Sequence, residues 1–389
     1  MVLRLSDVTD LLDTWFDPAC AESWDAVGLV CGDPDQPIAK VLFAVDPAPA
    51  VVDEAVGWGA DLVVCHHPLL LTPVHGVAAT RPKGRVVHDL VRTGTALFTA
   101  HTNADVSASG VNEALARAVG IVEPRVVLDL DGGSSDEPDA LDKLVTFVPH
   151  EHADAVRRAV AEAGAGRLGD YDGCSFTTTG EGRFRPLGGA SPAIGRAGEP
   201  EVVAESRIEV VLPRRLRRQV VEAMKGAHPY EEVAFDVLEL ADVPGVRRPT
   251  RGHGRIGALE APTTLRAFAG RVAAALPATA HGVRVSGDPD RRVETVVVAG
   301  GSGDFLLDTV LSTDADVYVT SDLRHHRAAE FREHGGPALV DVAHWAGEWT
   351  WLPVVEQMVR AAVGERGDTV ATRVSTLVTD PWTFRADRS

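Results

Sequence analysis

The sequence predicts an α/β protein with a mixed, mainly parallel sheet built from two chain segments, 1–130 and 246–389. A smaller α+β domain of ferredoxin-like pattern is expected as an insert over 138–242. Three observations carry this reading. Short apolar runs alternate with segments of helical periodicity at both ends of the chain. The polar, Gly- and Ser-rich stretch 129–138 interrupts that alternation and reads as a linker. Beyond it the order changes to β-α-β-β-α-β. A length of 389 residues also exceeds what one ordinary core serves.

Residues 5–16 read as a helix, with Val8, Leu11, Leu12 and Trp15 at helical spacing and Ser6 as its expected cap. The loop-and-strand segment 22–32 carries Trp24, Asp25 and Gly28. The run 41–45 is a strand ended by Asp46-Pro47, and 51–58 is a helix. Leu62-Val63-Val64-Cys65 reads as a buried strand that stops at His66-His67-Pro68, because proline has no amide to give a ladder. A helix through 88–92 leads to the strand 96–100, which runs into His101-Thr102-Asn103-Ala104-Asp105. The helix 110–119 closes at Gly120.

In the insert, 144–148 is a strand and 152–163 a helix, and 174–179 with 182–185 are expected to form a hairpin. A strand over 207–212, a helix over 214–225 and a strand over 233–238 complete it. The α/β pattern then resumes with a helix over 265–276 and a strand over 293–299. Gly300-Gly301-Ser302-Gly303 opens a helix over 304–311. Strands over 317–320 and 338–342 lead into Asp322-Leu323-Arg324-His325-His326 and into Ala343-His344-Trp345-Ala346-Gly347-Glu348. Each is followed by a helix, and a last strand spans 369–377.

Composition narrows the function classes. A net charge of −18, from 38 basic and 56 acidic residues, argues against a general nucleic-acid binder, which needs a basic surface. No run approaches the roughly 18 apolar residues of a membrane span. The first residues enter an amphipathic helix without the features of a signal peptide, so a cytoplasmic location is expected. Cys20, Cys31, Cys65 and Cys174 are scattered and suggest neither a disulfide framework nor a zinc knuckle.

Three strand ends carry ligand-type residues: His66-His67, His101 with Asp105, and His344 with Glu348. The last two pairs are spaced for one turn of helix, which puts both members on one face. Taken singly, each pattern is as well explained by a solvated or backbone-bonded imidazole. Together they put imidazole and carboxylate at the ends of separate strands of one sheet, a set that suits Zn, Fe, Mn, Co or Ni. Five or six ligands exceed the needs of one tetrahedral ion, whereas two ions sharing a carboxylate could activate water and hold a phosphate or amide oxygen. Such a site would equally suit metal storage. The Gly300–Gly303 turn is a possible anion cradle, and otherwise a tight turn. Asp322, His325 and His326 are either accessory to the site or a cap with solvated histidines, and His228-Pro229-Tyr230-Glu231-Glu232 more simply ends a helix.

At these residues the chain resembles the Nif-three-like family, also labelled GTP cyclohydrolase I type 2 homologues or dinuclear metal centre hexameric proteins. The likeness covers Trp24-Asp25-x-Val27-Gly28, His66-His67-Pro68, His101-Thr102-Asn103-x-Asp105, Gly300-Gly301, Asp322-x-x-x-His326 and Asp341-x-x-His344-x-x-x-Glu348. Ala26 stands where the family pattern has Asn, and Ser321 where it has Gly. The resemblance implies His66, His67, Asp105, His344 and Glu348 as ligands of two divalent transition-metal ions per subunit (Zn, Fe or Mn), with Glu348 as the bridge and His101 beside them. It also implies a toroidal homohexamer, a trimer of dimers, and an insert similar to the PII and CutA proteins.

The expected function is a metal-dependent hydrolase acting on a small nucleotide-like or phosphorylated substrate, with His101 or His326 handling the proton. The rival expectations are metal handling, in which the ions are cargo, and a non-catalytic scaffold whose insert binds a regulatory ligand.

Overall fold

In the computed structural model, which describes residues 2–129, 141–168, 171–240 and 251–386, the chain opens with α1 (Leu5–Trp15). Leu5, Val8 and Leu12 bury one face of this helix. Its cap is Arg4 rather than the expected Ser6: the Arg4 amide donates to the Asp7 carboxylate at 2.8 Å, and Ser6 lies inside the helix. A carboxylate in the first turn satisfies that amide and complements the positive helix end.

There follow β1 (Gly28–Cys31), β2 (Lys40–Ala44), α2 (Pro49–Trp58), β3 (Leu62–Cys65), α3 (Pro82–Thr93) and β4 (Ala96–Thr99). Next come α4 (Thr102–Val106), α5 (Val111–Ala118) and β5 (Ile121–Asp129). The linker expected over 129–138 lies outside the described residues beyond Asp129. The next elements are β6 (Leu141–Pro149), α6 (Ala153–Glu162), β7 (Phe176–Phe184), β8 (Glu201–Pro213), α7 (Arg217–Ala227) and β9 (Phe235–Glu239). The chain then forms β10 (Gly252–Thr264), α8 (Leu265–Ala275), β11 (Val283–Ser286), β12 (Arg292–Ser302) and α9 (Leu307–Val310). It ends with β13 (Val317–Ser321), α10 (His325–Glu333), β14 (Ala338–Val342), α11 (His344–Trp349), α12 (Leu352–Glu365) and β15 (Ala371–Val374).

These elements divide into two compact units: Met1–Leu130 with Arg248–Ser389, and Asp131–Arg247. The first unit holds two sheets, ordered β1-β4-β3-β2-β15 and β11-β14-β13-β12-β10-β5. In one, β15, β2, β3 and β4 run parallel and β1 is antiparallel. In the other, β12, β13 and β14 are parallel while β5, β10 and β11 pair antiparallel. The one mainly parallel sheet expected from the strand–helix alternation is therefore two mixed sheets. Alternation reports local order only, and β15 lies beside β2 across more than three hundred residues of chain.

The two sheets share a core. Val41, Phe43, Leu62, Val64 and Phe98 of the first belong to the same cluster as Val296, Val298, Val317, Val319 and Val340 of the second. Along β3, Leu62 and Val64 face this shared core, while Val63 and Cys65 face a second one with Val52, Ala55, Val86 and Leu90 of α2 and α3. Both faces of β3 are covered, which is why it reads as an unbroken apolar run.

Arg255 on β10 is 2% exposed and crosses this unit. It donates to the carbonyls of Gly252, Gly254 and Ser107 at 2.8–2.9 Å and to Glu113 of α5 at 3.1 Å. Arg255→Met is expected to destabilise the fold by about 3 kcal/mol, the lower end for breaking a buried pair, because Arg117 still pairs Glu113. Urea unfolding would read this, and a loss under about 1 kcal/mol would contradict it.

The second unit is a four-stranded antiparallel sheet, β7-β8-β6-β9, with α6 and α7 packed on it through Leu144, Val156, Ile208, Val210, Val220 and Met224. Its connections β6-α6-β7-β8-α7-β9 are those of the split β-α-β unit. The expected hairpin over 174–185 is instead the single strand β7, paired along its length with β8. Gly182 is not a turn residue here. A Cβ at that position would stand 2.2 Å from the Glu205 carboxylate, so glycine admits the cross-strand acid.

Among the described residues no helix is long and apolar enough to cross a membrane.

Candidate metal centre

The centre lies between the two sheets of the first unit, at the carboxyl ends of their parallel strands. β3 ends at His66 and His67, β4 runs into His101, and β2 is followed by Asp46. From the other sheet, β13 leads to Asp322 and β14 to His344. The expectation of one sheet edge is thus corrected to two facing edges. Alternation along β3 carries His66 to the shared-core side, where it is fully buried with its ring 5.8 Å from Trp351. The turn at Pro68 brings His67 back beside it, with the two rings 5.1 Å apart.

Each of four imidazoles is fixed through Nδ1. His66 donates to the Ala100 carbonyl at 2.9 Å, His67 to Asp46 at 2.7 Å, His101 to Asp25 at 2.8 Å and His344 to Asp322 at 2.6 Å. This leaves every Nε2 free to serve as a ligand, the tautomer that outer carboxylate partners impose in metal sites. Glu348 stands among them. Its Oε1 lies 2.8 Å from His344 Nε2 and 3.3 Å from His66 Nε2, and its Oε2 lies 3.1 Å from His67 Nε2. Asp105 Oδ1 lies 3.6 Å from His66 Nε2. Two groups of three ligand atoms fall within 4.8 Å of one another, His66/His67/His101 and His67/His344/Glu348.

Three buried atoms here make no well-aligned hydrogen bond, although each stands within 3.6 Å of an opposing ligand atom: His66 Nε2, Asp105 Oδ1 and Glu348 Oε2. Such orphans are costly, and a shared cation would satisfy all three. Imidazole with carboxylate is the donor set of first-row transition metals, so these residues fit an ion.

The charge balance points the same way. Burial opposes charge on His67 and His344, but Glu348 with Asp46 and Asp322 outweighs it and raises the imidazoles to about 10 and about 11. Burial opposes charge on Glu348 too, yet His67, His344 and His66 hold its carboxyl well below its ordinary value. Burial, and then Glu348, push Asp105 well above the usual carboxylate range. Burial keeps His66 below its ordinary value. Without a metal, protons supply the positive charge that Glu348 demands.

Backbone details open the space. Asp322 sits at φ 56°, a left-handed conformation that Asp tolerates better than most residues, and this turns its carboxylate to His344. Gly301, at φ 67°, lies where a Cβ would come within 3.1 Å of Glu348 Oε1. The glycine run is neither a free tight turn nor an anion cradle: Gly300, Gly301 and Ser302 are the last residues of β12, with Ser302 opposite Ser321 of β13. The Gly300 amide donates to Asn112 at 2.8 Å and the Gly303 amide to the Ser321 carbonyl at 3.3 Å, so these donors are already used. Ser321 Oγ donates to the Gly301 carbonyl at 2.5 Å.

Of the sequence-predicted residues, the structure gathers His66, His67, His101, Asp105, His344 and Glu348. It does not bring in His326, which stands exposed at the start of α10 beside the His325 ring at 5.2 Å. His228 caps α7, its Nε2 donating to the Phe147 carbonyl and its Nδ1 accepting from the Tyr230 amide. Sequence reasoning missed the roles of Asp46, Asp25 and Asn112, which also donates to the Asp105 carbonyl. A signal for Asp46 existed: β2 and β3 pair in parallel with Ala44 opposite Cys65, which sets Asp46 beside His67. Asp46→Ala is expected to weaken metal binding by roughly 10–100-fold, readable with a competing chelator, and an unchanged affinity would refute its positioning role.

A cavity of about 280 Å³ opens onto the centre, lined by Asp46, His67, His281, His344, Asp380 and Trp382. A larger one of about 660 Å³ belongs to the insert, where Phe147, Phe184, Arg207 and Tyr230 line it.

Comparison with known proteins places the chain. The Duf34/NIF3 (NGG1p interacting factor 3) family profile matches residues 3–381. A Mycobacterium tuberculosis protein named GTP cyclohydrolase 1 type 2 homolog is 52% identical over 382 residues, covering 98% of this chain and 97% of that one. A Bacillus subtilis protein of the same name is 36% identical over 377 residues, 97% of each. The crystal structure of a Bacillus cereus protein related to NIF3 superposes with a TM-score of 0.72 at 34% identity, covering 99% of this chain and 100% of that one. With the family pattern matched along nearly its whole length, the chain belongs to the Duf34/NIF3 family.

Proposed function

We propose that this chain is a dinuclear metal-dependent hydrolase acting on a nucleotide-like or phosphorylated substrate. The observation that carries the reading is the trio of buried atoms without a well-aligned hydrogen bond on His66, Asp105 and Glu348, beside imidazoles held through Nδ1 so that Nε2 is left for a ligand role. His66, His67, Asp105, His344 and Glu348 would hold the ions, and the two oxygens of Glu348, set against different histidines, suit a bridge. When bound, such ions supply Lewis acidity that lowers the pKa of water and polarises a phosphoryl or amide oxygen.

The chain's own residues do the rest. Ala100, Asp46 and Asp322 orient the ligand imidazoles, and Trp351 seals the floor beneath His66. His101 holds the proton in this scheme, since Asp25 fixes its Nδ1 and its ring lies 5.1 Å from that of His66. The curated relatives' name points to a purine nucleotide, and the site by itself supports hydrolysis more broadly.

The test is elemental analysis of tag-free protein, followed by a screen of nucleotides and phosphate esters with the metal-loaded chain. About two ions of Zn, Fe or Mn per chain with turnover is the expected result. Full metal content with no turnover, and transfer of the ions to a metal-free acceptor, would favour metal handling instead. One ion or none after reconstitution would end the dinuclear reading.

A further inference from the structure

We propose that the segment 379–382 is the recognition wall of the centre and reads a planar nitrogen heterocycle bearing an N–H donor. Asp380 accepts that N–H and Trp382 stacks on the ring. This rests on the hydrolase reading above and narrows its substrate class to nucleotides recognised through the base.

The segment is a built part of the unit. Ser375 accepts from Trp349 Nε1 at 2.9 Å, its amide donates to the Phe43 carbonyl at 2.8 Å, and its hydroxyl donates to Glu54 at 2.6 Å. Farther on, the Thr379 hydroxyl donates to Asp46, whose other oxygen holds His67. The wall is therefore tied to the ligand shell through one carboxylate.

Asp380 is 9% exposed, lines the 280 Å³ cavity, and its Oδ2 is buried without a hydrogen-bond partner. An unused buried acceptor on a residue that lines a cavity calls for a donor from a ligand. Trp382 lines the same cavity yet is 67% exposed, so a large aromatic surface stands open at its mouth. An open π-face beside an unpaired acceptor matches a base, which offers a flat ring and N–H groups at its edge.

Charge fixes the direction of binding. Asp46 and Asp322 in the cavity lining are paired to the ligand imidazoles His67 and His344, whereas the Asp380 Oδ2 has no partner, so a phosphate is disfavoured at Asp380. The phosphate end belongs toward the metal ligands, and the base toward Asp380. The cavity volume admits a base and leaves the rest of a nucleotide to the metal side.

The test compares guanosine 5′-monophosphate with ribose 5-phosphate, which differ by the base alone. Calorimetric titration of the metal-loaded full chain would be run for wild type, Asp380→Ala and Trp382→Ala. Wild type is expected to bind the nucleotide at least about tenfold more tightly than the sugar phosphate, and each substitution to lower nucleotide affinity about tenfold. Affinity for ribose 5-phosphate and metal content are expected to stay unchanged. Equal affinities in wild type, or a nucleotide affinity indifferent to both substitutions, would overturn the wall and leave the hydrolase reading standing. If neither compound binds the loaded chain, the hydrolase reading falls and the wall with it. Trp382→Ala, at an exposed side chain, keeps the test decisive if Asp380→Ala disturbs folding.

Discussion

Glu348→Gln is expected to lower metal content from about two ions per chain to less than one and to cut any hydrolysis by at least about a thousandfold. The magnitude follows from what the side chain faces. Loss of an outer partner of a ligand commonly costs roughly 10–100-fold in metal affinity, and Glu348 confronts three imidazoles directly. Glutamine keeps the volume but removes the charge and offers one oxygen where two are used. A second readout does not depend on turnover. Glu348 raises both His67 and His344, so in the metal-free variant both imidazoles are expected to titrate nearer their ordinary value. NMR of the ring protons would follow this. A Glu348→Gln variant with full metal content and histidines that titrate as in wild type would remove Glu348 from the centre.

Metal binding is expected to release close to two protons near pH 7.5 and to tighten by up to about a hundredfold per pH unit below pH 9. The sign follows from the ligands. His67 and His344, raised to about 10 and about 11, are protonated at neutral pH in the metal-free protein and must lose those protons to bind an ion. Raising the pH removes the competitor and favours the metal. Asp105, pushed upward by burial and then by Glu348, adds to the same trend. The metal-free fold has the opposite dependence. Imidazoles whose folded pKa exceeds the unfolded 6.5 contribute stability that is complete below that value and is lost as pH rises through about 10 and 11. Calorimetry in buffers of different ionisation enthalpy counts the protons. Release of none would show that these imidazoles carry no extra proton in the metal-free protein.

The legible and illegible parts of the molecule separate by the range of the interaction. The pairing of His344 with Glu348 is readable because four residues on one helix bring Nε2 and Oε1 to 2.8 Å whatever surrounds them. His66-His67 is readable as a strand end because a buried run followed by proline can do little else. The Arg4 cap escapes such reading because it depends on the carboxylate of Asp7 and not on the capping residue's own type. The hairpin expected over 174–185 fails because Gly182, which would normally signal a turn, here admits Glu205 from the neighbouring strand.

His326 shows the other limit. It follows Asp322 by four residues, so sequence spacing sets both near the centre. The left-handed turn at Asp322 aims the carboxylate at His344, while α10 carries His326 into solvent.

The strand–helix alternation, the insert's order of elements and the ligand-type residues at three strand ends are legible in the amino-acid order alone. Those features follow from short-range periodicity and from the few residue types that donate to metals. The folded chain is what brings the residues together across two sheets and sets Asp25, Asp46 and Asp322 against their imidazoles. It alone also left the Asp380 Oδ2 without a hydrogen bond. The physical reason is that strand order and sheet pairing depend on contacts between distant segments, such as β15 with β2, and no local pattern encodes which partner a strand will find.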